Sequence, residues 1–232
     1  MGADKYIFKR KEKKYVLSSN QFEQLITLIE PYITEDEYPS QTVHSIYLDT
    51  PSFLLIRNSI DAKKYKEKIR LRGYGTVENN SKVFLELKKK LNGIVYKRRL
   101  ALPLNVAEEY IQNGIVPDSS QIMQEIEAFM RFYNRPKPKI AICCERLSFI
   151  AKDDKNLRIT FDTNIRYRFD NLSLTHSPTG TPLLKEGECV MEIKVLGAMP
   201  LWLVKCLDEC KIYPQSFSKY GKAHLKQLNE KK

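Results

Sequence analysis

The sequence predicts an α+β fold in which an antiparallel sheet closes into a barrel, with its charged face lining a lumen and its apolar face outward beneath flanking helices. Three observations point there. Short runs alternate charged and apolar residues around Glu12-Lys13-Lys14, Lys68-Ile69-Arg70-Leu71-Arg72, Phe84-Leu85-Glu86-Leu87-Lys88, Arg158-Ile159-Thr160-Phe161-Asp162 and Met191-Glu192-Ile193-Lys194-Val195. A period of two is the strand period, so each run sends its charges to one face. Lys and Arg dominate those faces, yet Glu recurs two residues from a cation, and the Ser, Thr and Gln usual on a wetted strand are scarce. Finally, seven to nine strands follow one another with helices toward both ends, unlike an alternating βαβ chain. An open sheet with one wet face explains any single run. Closure explains all of them together, because such charges need water or a ligand around them.

The elements follow in order. A strand over Tyr6–Leu17 meets Ser18 and Ser19, either of which can cap a helix bearing Phe22, Leu25, Ile26 and Ile29 on one face; Pro31 ends it. Val43–Leu48 reads as a strand, Asp49-Thr50-Pro51 as a turn into Phe53, Leu54 and Ile56, and Lys63–Arg72 as a strand closed by Gly73 and Gly75. Val83–Lys90 and Ile94–Leu102 flank Leu91-Asn92-Gly93, a hairpin signal. Helices are expected over Val106–Gln112, stopped at Asn113-Gly114, and over Gln121–Tyr133, where Ile122, Ile126, Phe129 and Met130 share a face. Pro136 and Pro138 break the chain before strands at Ile140–Phe149, Leu157–Asp162 and Cys189–Val195. The polar segment Asn171–Gly187 is a mobile loop on this reading. Pro200 opens a helix through Lys211, and Ser218 begins a C-terminal one.

With 232 residues and 42% hydrophobic content, residues 1–232 fit a single domain with a substantial core. Thirty-nine Lys and Arg against 28 acidic residues give a formal charge of +11, so the expected partner is an anion. No apolar stretch approaches the ~18 residues of a membrane span, and no signal-peptide core is evident, so a cytoplasmic location is expected. Met1-Gly2 suggests myristoylation, but Tyr6 stands where that signal needs Ser or Thr. Cys143, Cys144, Cys189, Cys206 and Cys210 form no zinc pattern and, being odd in number, no disulfide framework.

Walker and Rossmann signatures are absent, and His44, His176 and His224 are scattered. What remains suits phosphate: Lys68, Arg70, Arg72, Lys88, Lys97, Arg99, Arg146, Arg158 and Lys219, with Glu12, Glu86 and Glu192. Arg forks grip phosphate oxygens in pairs, Lys adds point charge, and a hard cation bridging phosphates needs a carboxylate. Phosphoryl transfer asks for little more than positioning and charge neutralisation. Single-stranded nucleic acid would also suit basic strands interleaved with Tyr. Glutamates on the same faces argue against it, because a carboxylate repels a phosphodiester, and no nucleic-acid partner is expected.

Seven segments resemble, in order, the catalytic domain of the vacuolar transporter chaperone family, a polyphosphate polymerase of the triphosphate tunnel metalloenzyme superfamily. They are Glu12-Lys13-Lys14-Tyr15, Tyr47-Leu48-Asp49-Thr50, Lys68-Ile69-Arg70-Leu71-Arg72, Leu85-Glu86-Leu87-Lys88, Arg158-Ile159-Thr160-Phe161-Asp162, Met191-Glu192-Ile193-Lys194 and Phe217-Ser218-Lys219-Tyr220. The resemblance implies a tunnel fold and transfer of the γ-phosphoryl group of ATP to a growing polyphosphate chain, with release of ADP. It implies Arg70, Arg72, Lys88, Arg146 and Lys219 as catalytic residues. Lys14, Lys68, Lys97, Arg99, Arg158, Lys194 and Ser218 would bind ATP and polyphosphate or pyrophosphate. Glu192, with Glu12 and Glu86, would hold Mn²⁺ or Mg²⁺, and any export of product would need a separate membrane partner. Hydrolytic relatives begin with Glu-x-Glu-x-Lys, whereas Arg10, Glu12 and Lys14 stand here, which disfavours a triphosphate hydrolase. Cys144 occupies the place of a common family Tyr, leaving this chain without that hydroxyl.

Overall fold

The period-two runs form strands, and the computed structural model, which describes residues 10–61, 64–92 and 94–230, contains a nine-stranded sheet. In chain order the elements are β1 (Arg10–Leu17), α1 (Ser19–Ile29), a 3₁₀ turn (Glu30–Tyr32), β2 (Ile33–Asp49), α2 (Leu54–Asp61), β3 (Tyr65–Tyr74), β4 (Lys82–Leu91), β5 (Ile94–Pro103), α3 (Leu104–Asn113), α4 (Gln121–Phe132), β6 (Lys137–Ala151), β7 (Arg158–Arg168), β8 (Thr181–Pro182), β9 (Cys189–Leu196), α5 (Leu201–Glu209) and α6 (Lys219–Glu230). The hydrogen-bonding order is β1-β9-β7-β6-β2-β3-β4-β5, with β8 on β7. The α+β class and the large antiparallel sheet with flanking helices therefore stand. Among the described residues no ladder joins β1 to β5, so closure into a barrel is not seen in the pairing. The β5 edge is guarded by charge, with Arg98 donating to Glu125 of α4 at 2.6 Å.

Two compact units can be distinguished, and β2, β6 and β7 each contribute to both. The first takes the chain up to Gln41 with Glu145–Asn164 and Leu184–Phe217; the second takes Thr42–Cys144, Ile165–Leu183 and the chain from Ser218.

In the first unit, alternate residues of β1, β7 and β9 (Tyr15, Leu17, Ile159, Phe161, Met191, Ile193, Val195) pack with Leu25 and Ile29 of α1 and Leu203 and Leu207 of α5. Ser18 and Gln21 form the reciprocal cap that starts α1. In the second unit, Ile46, Leu48, Ile69, Leu71, Val83, Leu85 and Leu87 pack with Ala107, Tyr110 and Ile111 of α3 and Met123, Ile126 and Met130 of α4. Each unit thus commits one sheet face to helices, which leaves the intervening charged residues on the other. Asp49 at the end of β2 accepts from the backbone N–H of Thr50, Leu55 and Ile56 and from the Tyr220 hydroxyl, so one buried carboxylate caps α2 and ties α6 to the sheet.

Several expectations change. β2 begins at Ile33, ten residues before the strand expected at Val43; its first half is polar and contains Pro39, so no apolar alternation announces it. Pro138 lies inside β6 rather than before it, at the strand's second residue, where a missing N–H costs little. The segment expected to be a mobile loop is pinned: the Arg168 guanidinium donates to the carbonyls of Asn171, Ser173 and Thr179, and Thr181–Pro182 pairs with β7. The hairpin is confirmed by the register Leu91↔Ile94, and Asn92 has a φ of 48°. Met1 and Gly2, where Tyr6 disfavours a myristoylation signal, the strand start expected at Tyr6, the strand start expected at Lys63, and Gly93 lie outside the described residues.

Candidate functional site

Of the fifteen residues assigned from sequence, Glu12, Lys14, Arg146, Arg158, Glu192 and Lys194 belong to the first unit. Lys68, Arg70, Arg72, Glu86, Lys88, Lys97, Arg99, Ser218 and Lys219 belong to the second.

Register builds the second set. Tyr47 of β2 lies opposite Arg70 of β3, Arg70 opposite Glu86 of β4, and Glu86 opposite Arg99 of β5, so four strands contribute one row. On one side runs Ser45, Arg72 and Phe84; on the other, Lys68, Lys88 and Lys97. Glu86, with a side chain only 2% exposed, anchors the cations: Arg70 meets its Oε2 at 2.6 Å, and Lys97 at 2.7 Å and Arg99 at 2.5 Å share its Oε1. Burial pushes its carboxyl up, but Arg70, Arg72 and Lys97 outweigh that and hold it well below the usual carboxylate range. Both oxygens are therefore engaged by three cations at 2.5–2.7 Å, so Glu86 anchors the basic side chains around it, whereas among the described residues only one cation lies that close to Glu192. Arg72 donates to Ser45 Oγ at 3.1 Å, and Arg99 donates to the Tyr74 hydroxyl at 3.1 Å while lying over the Phe84 ring. Lys68 donates to Ser218 Oγ at 2.8 Å, and that oxygen also accepts from the Gly221 N–H, placing Ser218 at the start of α6 with Lys219 next to it.

Tyr47, which lies in one of the resembling segments, was given no role from sequence. Its ring stacks on Tyr220 at 4.8 Å, and its hydroxyl accepts from Arg70 at 3.1 Å. Burial pushes the phenol up, but Arg70, Arg72 and Lys68 together outweigh it and bring it down to about 7. The ultraviolet tyrosinate absorbance lost in Tyr47→Phe should titrate near pH 7, and inorganic tripolyphosphate should move it upward by neutralising the arginines. The folded phenol binds its proton more weakly than the unfolded one, so its stabilisation is complete above about pH 10 and is lost as pH falls through about 7. A titration that stays near 10 would contradict this placement.

The first unit repeats the theme with more acid. Lys14 of β1 lies opposite Glu192 of β9, and Glu192 opposite Thr160 of β7; Glu12, Lys194 and Arg158 form the adjoining row. Lys194 meets Glu192 Oε1 at 2.6 Å, while Lys14 stands 3.7 Å from Oε2, 3.4 Å from Glu12 and 3.4 Å from the Phe217 carbonyl. Burial pushes the Glu192 carboxyl up, but Lys194 and Lys14, with help from Arg146, hold it far below the usual range. The two lysines thus favour the charged form of Glu192. Arg146 forks onto both oxygens of the buried Asp162, at 2.6 and 2.8 Å, and Arg158 pairs with Asp36 at 2.5 Å. Asp162 and Asp36 were missed as partners because strand register, invisible in one sequence, brings them there. Cys144 is buried two residues before Arg146.

Among the described residues no three His, Cys, Asp or Glu gather as a metal cluster. Of the carboxylates assigned from sequence, Glu192 is the one that could hold a hard cation, which would need its remaining oxygens from outside the protein. Among the described residues no helix is long and apolar enough to cross a membrane.

Known proteins share both pattern and fold. The chain is 23% identical to vacuolar transporter chaperone complex subunit 4 of Trypanosoma brucei brucei, over 93% of this chain and 34% of the relative. It is 25% identical to the same subunit of Trypanosoma cruzi, over 78% of this chain and 27% of the relative. It thus spans about a third of those proteins' length. Its fold is similar to that of a "putative adenylate cyclase" from Bacillus halodurans (TM-score 0.55, 13% identity, 90% of this chain and 95% of the other). A protein given the same description from Vibrio parahaemolyticus also has a TM-score of 0.55, at 11% identity, covering 94% of this chain and 98% of the other. The VTC domain model matches residues 9–227, and the chain belongs to the VTC domain family.

Proposed function

We propose that the chain is a metal-dependent polyphosphate polymerase that moves the γ-phosphoryl group of ATP onto a growing polyphosphate chain and releases ADP. The observation that carries the reading is the register-built row Tyr47–Arg70–Glu86–Arg99, flanked by Arg72 on one side and by Lys68, Lys88 and Lys97 on the other. Such a face presents two-pronged and single cationic donors that can grip the oxygens of a phosphate chain. Arg70, Arg72, Lys88, Arg146 and Lys219 would neutralise the oxygens of the phosphoryl group in flight. Lys14, Lys68, Lys97, Arg99, Arg158, Lys194 and Ser218 would hold nucleotide and product phosphates. Glu192, with Glu12 beside Lys14, would hold Mn²⁺ or Mg²⁺, and a bound cation would supply further charge neutralisation at the phosphate oxygens. Closure of the sheet into a tunnel, a cytoplasmic setting and a separate membrane partner are parts of this proposal.

The acceptor phosphate is already an anion, so transfer needs no base to activate it. Hydrolysis would need one for water. Incubation with ATP and Mn²⁺ should yield long-chain polyphosphate and ADP in a ratio of one phosphoryl unit added per ADP. Free phosphate as the sole product would overturn the polymerase reading in favour of a hydrolase on the same scaffold.

A further inference from the structure

On the charged face of the first unit, the charged side chains have ion-pair partners, although the Nε of Arg158 is buried without a hydrogen-bond partner among the described residues. Arg158 is held by Asp36, Asp162 by Arg146, and Glu192 by Lys194 with Lys14 farther off. Thr160 differs. It is 2% exposed, it lies between Arg158 and Asp162 on β7 and directly opposite Glu192 of β9, and its hydroxyl has no protein hydrogen-bond partner among the described residues. A buried, unpaired hydroxyl costs stability, while Val would fill the same space on a strand without that cost. Strand alternation turns this oxygen to the face that carries Glu192 and Lys14.

The chemistry of a suitable ligand is narrow. A phosphate oxygen brought beside the Glu192 carboxylate meets repulsion unless a cation lies between, whereas hard divalent cations take hydroxyl and carboxylate oxygens together. We propose that Thr160 supplies, beside the Glu192 carboxylate, the second protein oxygen of a divalent-cation seat on the β7–β9 ladder. The inference rests on Glu192 as the cation's carboxylate, part of the function proposed above, and deepens it by a residue the charged inventory omits. A hydroxyl in that role orients the cation without adding charge, so the seat keeps a single negative protein group and leaves the remaining positions to phosphates and water.

The full chain and its variants Thr160→Val, Thr160→Ser and Glu192→Gln are titrated with Mn²⁺, free metal being read by electron paramagnetic resonance, and each is melted without metal. The expected result is that Thr160→Val melts no lower than the parent but binds Mn²⁺ about tenfold or more weakly, the loss typical when a group supporting a metal site is removed. Thr160→Ser should bind as the parent does. Glu192→Gln should lose Mn²⁺ binding. Parent-like Mn²⁺ affinity in Thr160→Val, with Glu192→Gln impaired, would overturn the role of Thr160 and leave that of Glu192 intact. Parent-like affinity in Glu192→Gln would overturn the carboxylate assignment instead. A Thr160→Val variant that melts lower and binds Mn²⁺ normally would show a structural partner for the hydroxyl, and one that loses metal-free tripolyphosphate binding would show a phosphate contact; both outcomes overturn the cation seat.

Discussion

Glu86→Gln is expected to lower the free energy of unfolding by on the order of 3 kcal/mol, the low end for breaking a buried ion pair. For a chain of this length that corresponds to a fall in melting temperature of roughly 6–12 °C. Glu86 is 2% exposed and is the shared counter-ion of Arg70, Lys97 and Arg99. Neutralising it leaves three cations on adjacent strands facing one another, with Arg72 in the next row. The low end applies because Lys97 and Arg99 are partly exposed and keep some solvent screening. Tripolyphosphate should restore more of the lost melting temperature in the variant than it adds to the parent, since the ligand's anions replace the missing one. The carboxyl is held below its ordinary value, so its stabilisation is complete above its unfolded pKa of about 4.3 and is lost as pH falls through the depressed folded value. The parent-to-variant gap should therefore begin to narrow as pH falls below about 4.3 and close progressively in stronger acid. A melting difference of less than a degree at neutral pH would show that the cations do not depend on Glu86.

The parts of this architecture legible in the sequence were those written in periodicity and local turn chemistry. Alternation in Val83–Lys90 and Ile94–Leu102, with Asn92 at the turn, declared a hairpin, and Ser18 or Ser19 ahead of an apolar helical face declared the start of α1, which the structure caps with Ser18. The residues that fill the charged faces were legible for the same reason: a strand puts i and i+2 on one side whatever its partners. Pairing was not legible. Glu86 and Glu192 look alike in sequence, each an acid one residue from an apolar neighbour and two from a Lys. Register sets Glu86 between Arg70 and Arg99, but sets Glu192 between Lys14 and Thr160. The first becomes an anchor for cations, the second an ionised carboxylate with an unpartnered hydroxyl across from it. Uncharged residues of the faces, Tyr47, Tyr74, Ser45 and Thr160, escaped because their types are ordinary in any strand. The polar half of β2 escaped for the opposite reason: Ile33–Gln41 has no apolar face to bury, so nothing in its pattern distinguishes it from a loop.

Glu192→Gln is the substitution expected to cut ATP-dependent polymer formation most, by about 100-fold or more, the scale of removing one group that stabilises charge in the transition state. The exchange keeps the side chain's size and removes only its charge, so it separates electrostatics from packing. In the parent, Lys194 at 2.6 Å and Lys14 at 3.7 Å hold the carboxylate ionised, and the carboxylate in turn limits how strongly those two lysines attract an anion. Without it, metal-free tripolyphosphate should bind as well as before or more tightly, because one repulsive charge is gone and two ammonium groups are released. Turnover should nevertheless collapse, since under the proposed function a cation at the reacting phosphates would lose its carboxylate. A pure polyanion-binding module predicts the first change without the second, there being no turnover to lose. A parent-like polymerisation rate in Glu192→Gln would mean that this carboxylate takes no part in the chemistry, whereas tighter tripolyphosphate binding with vanishing polymer yield would tie the two lysines and the acid to one catalytic function.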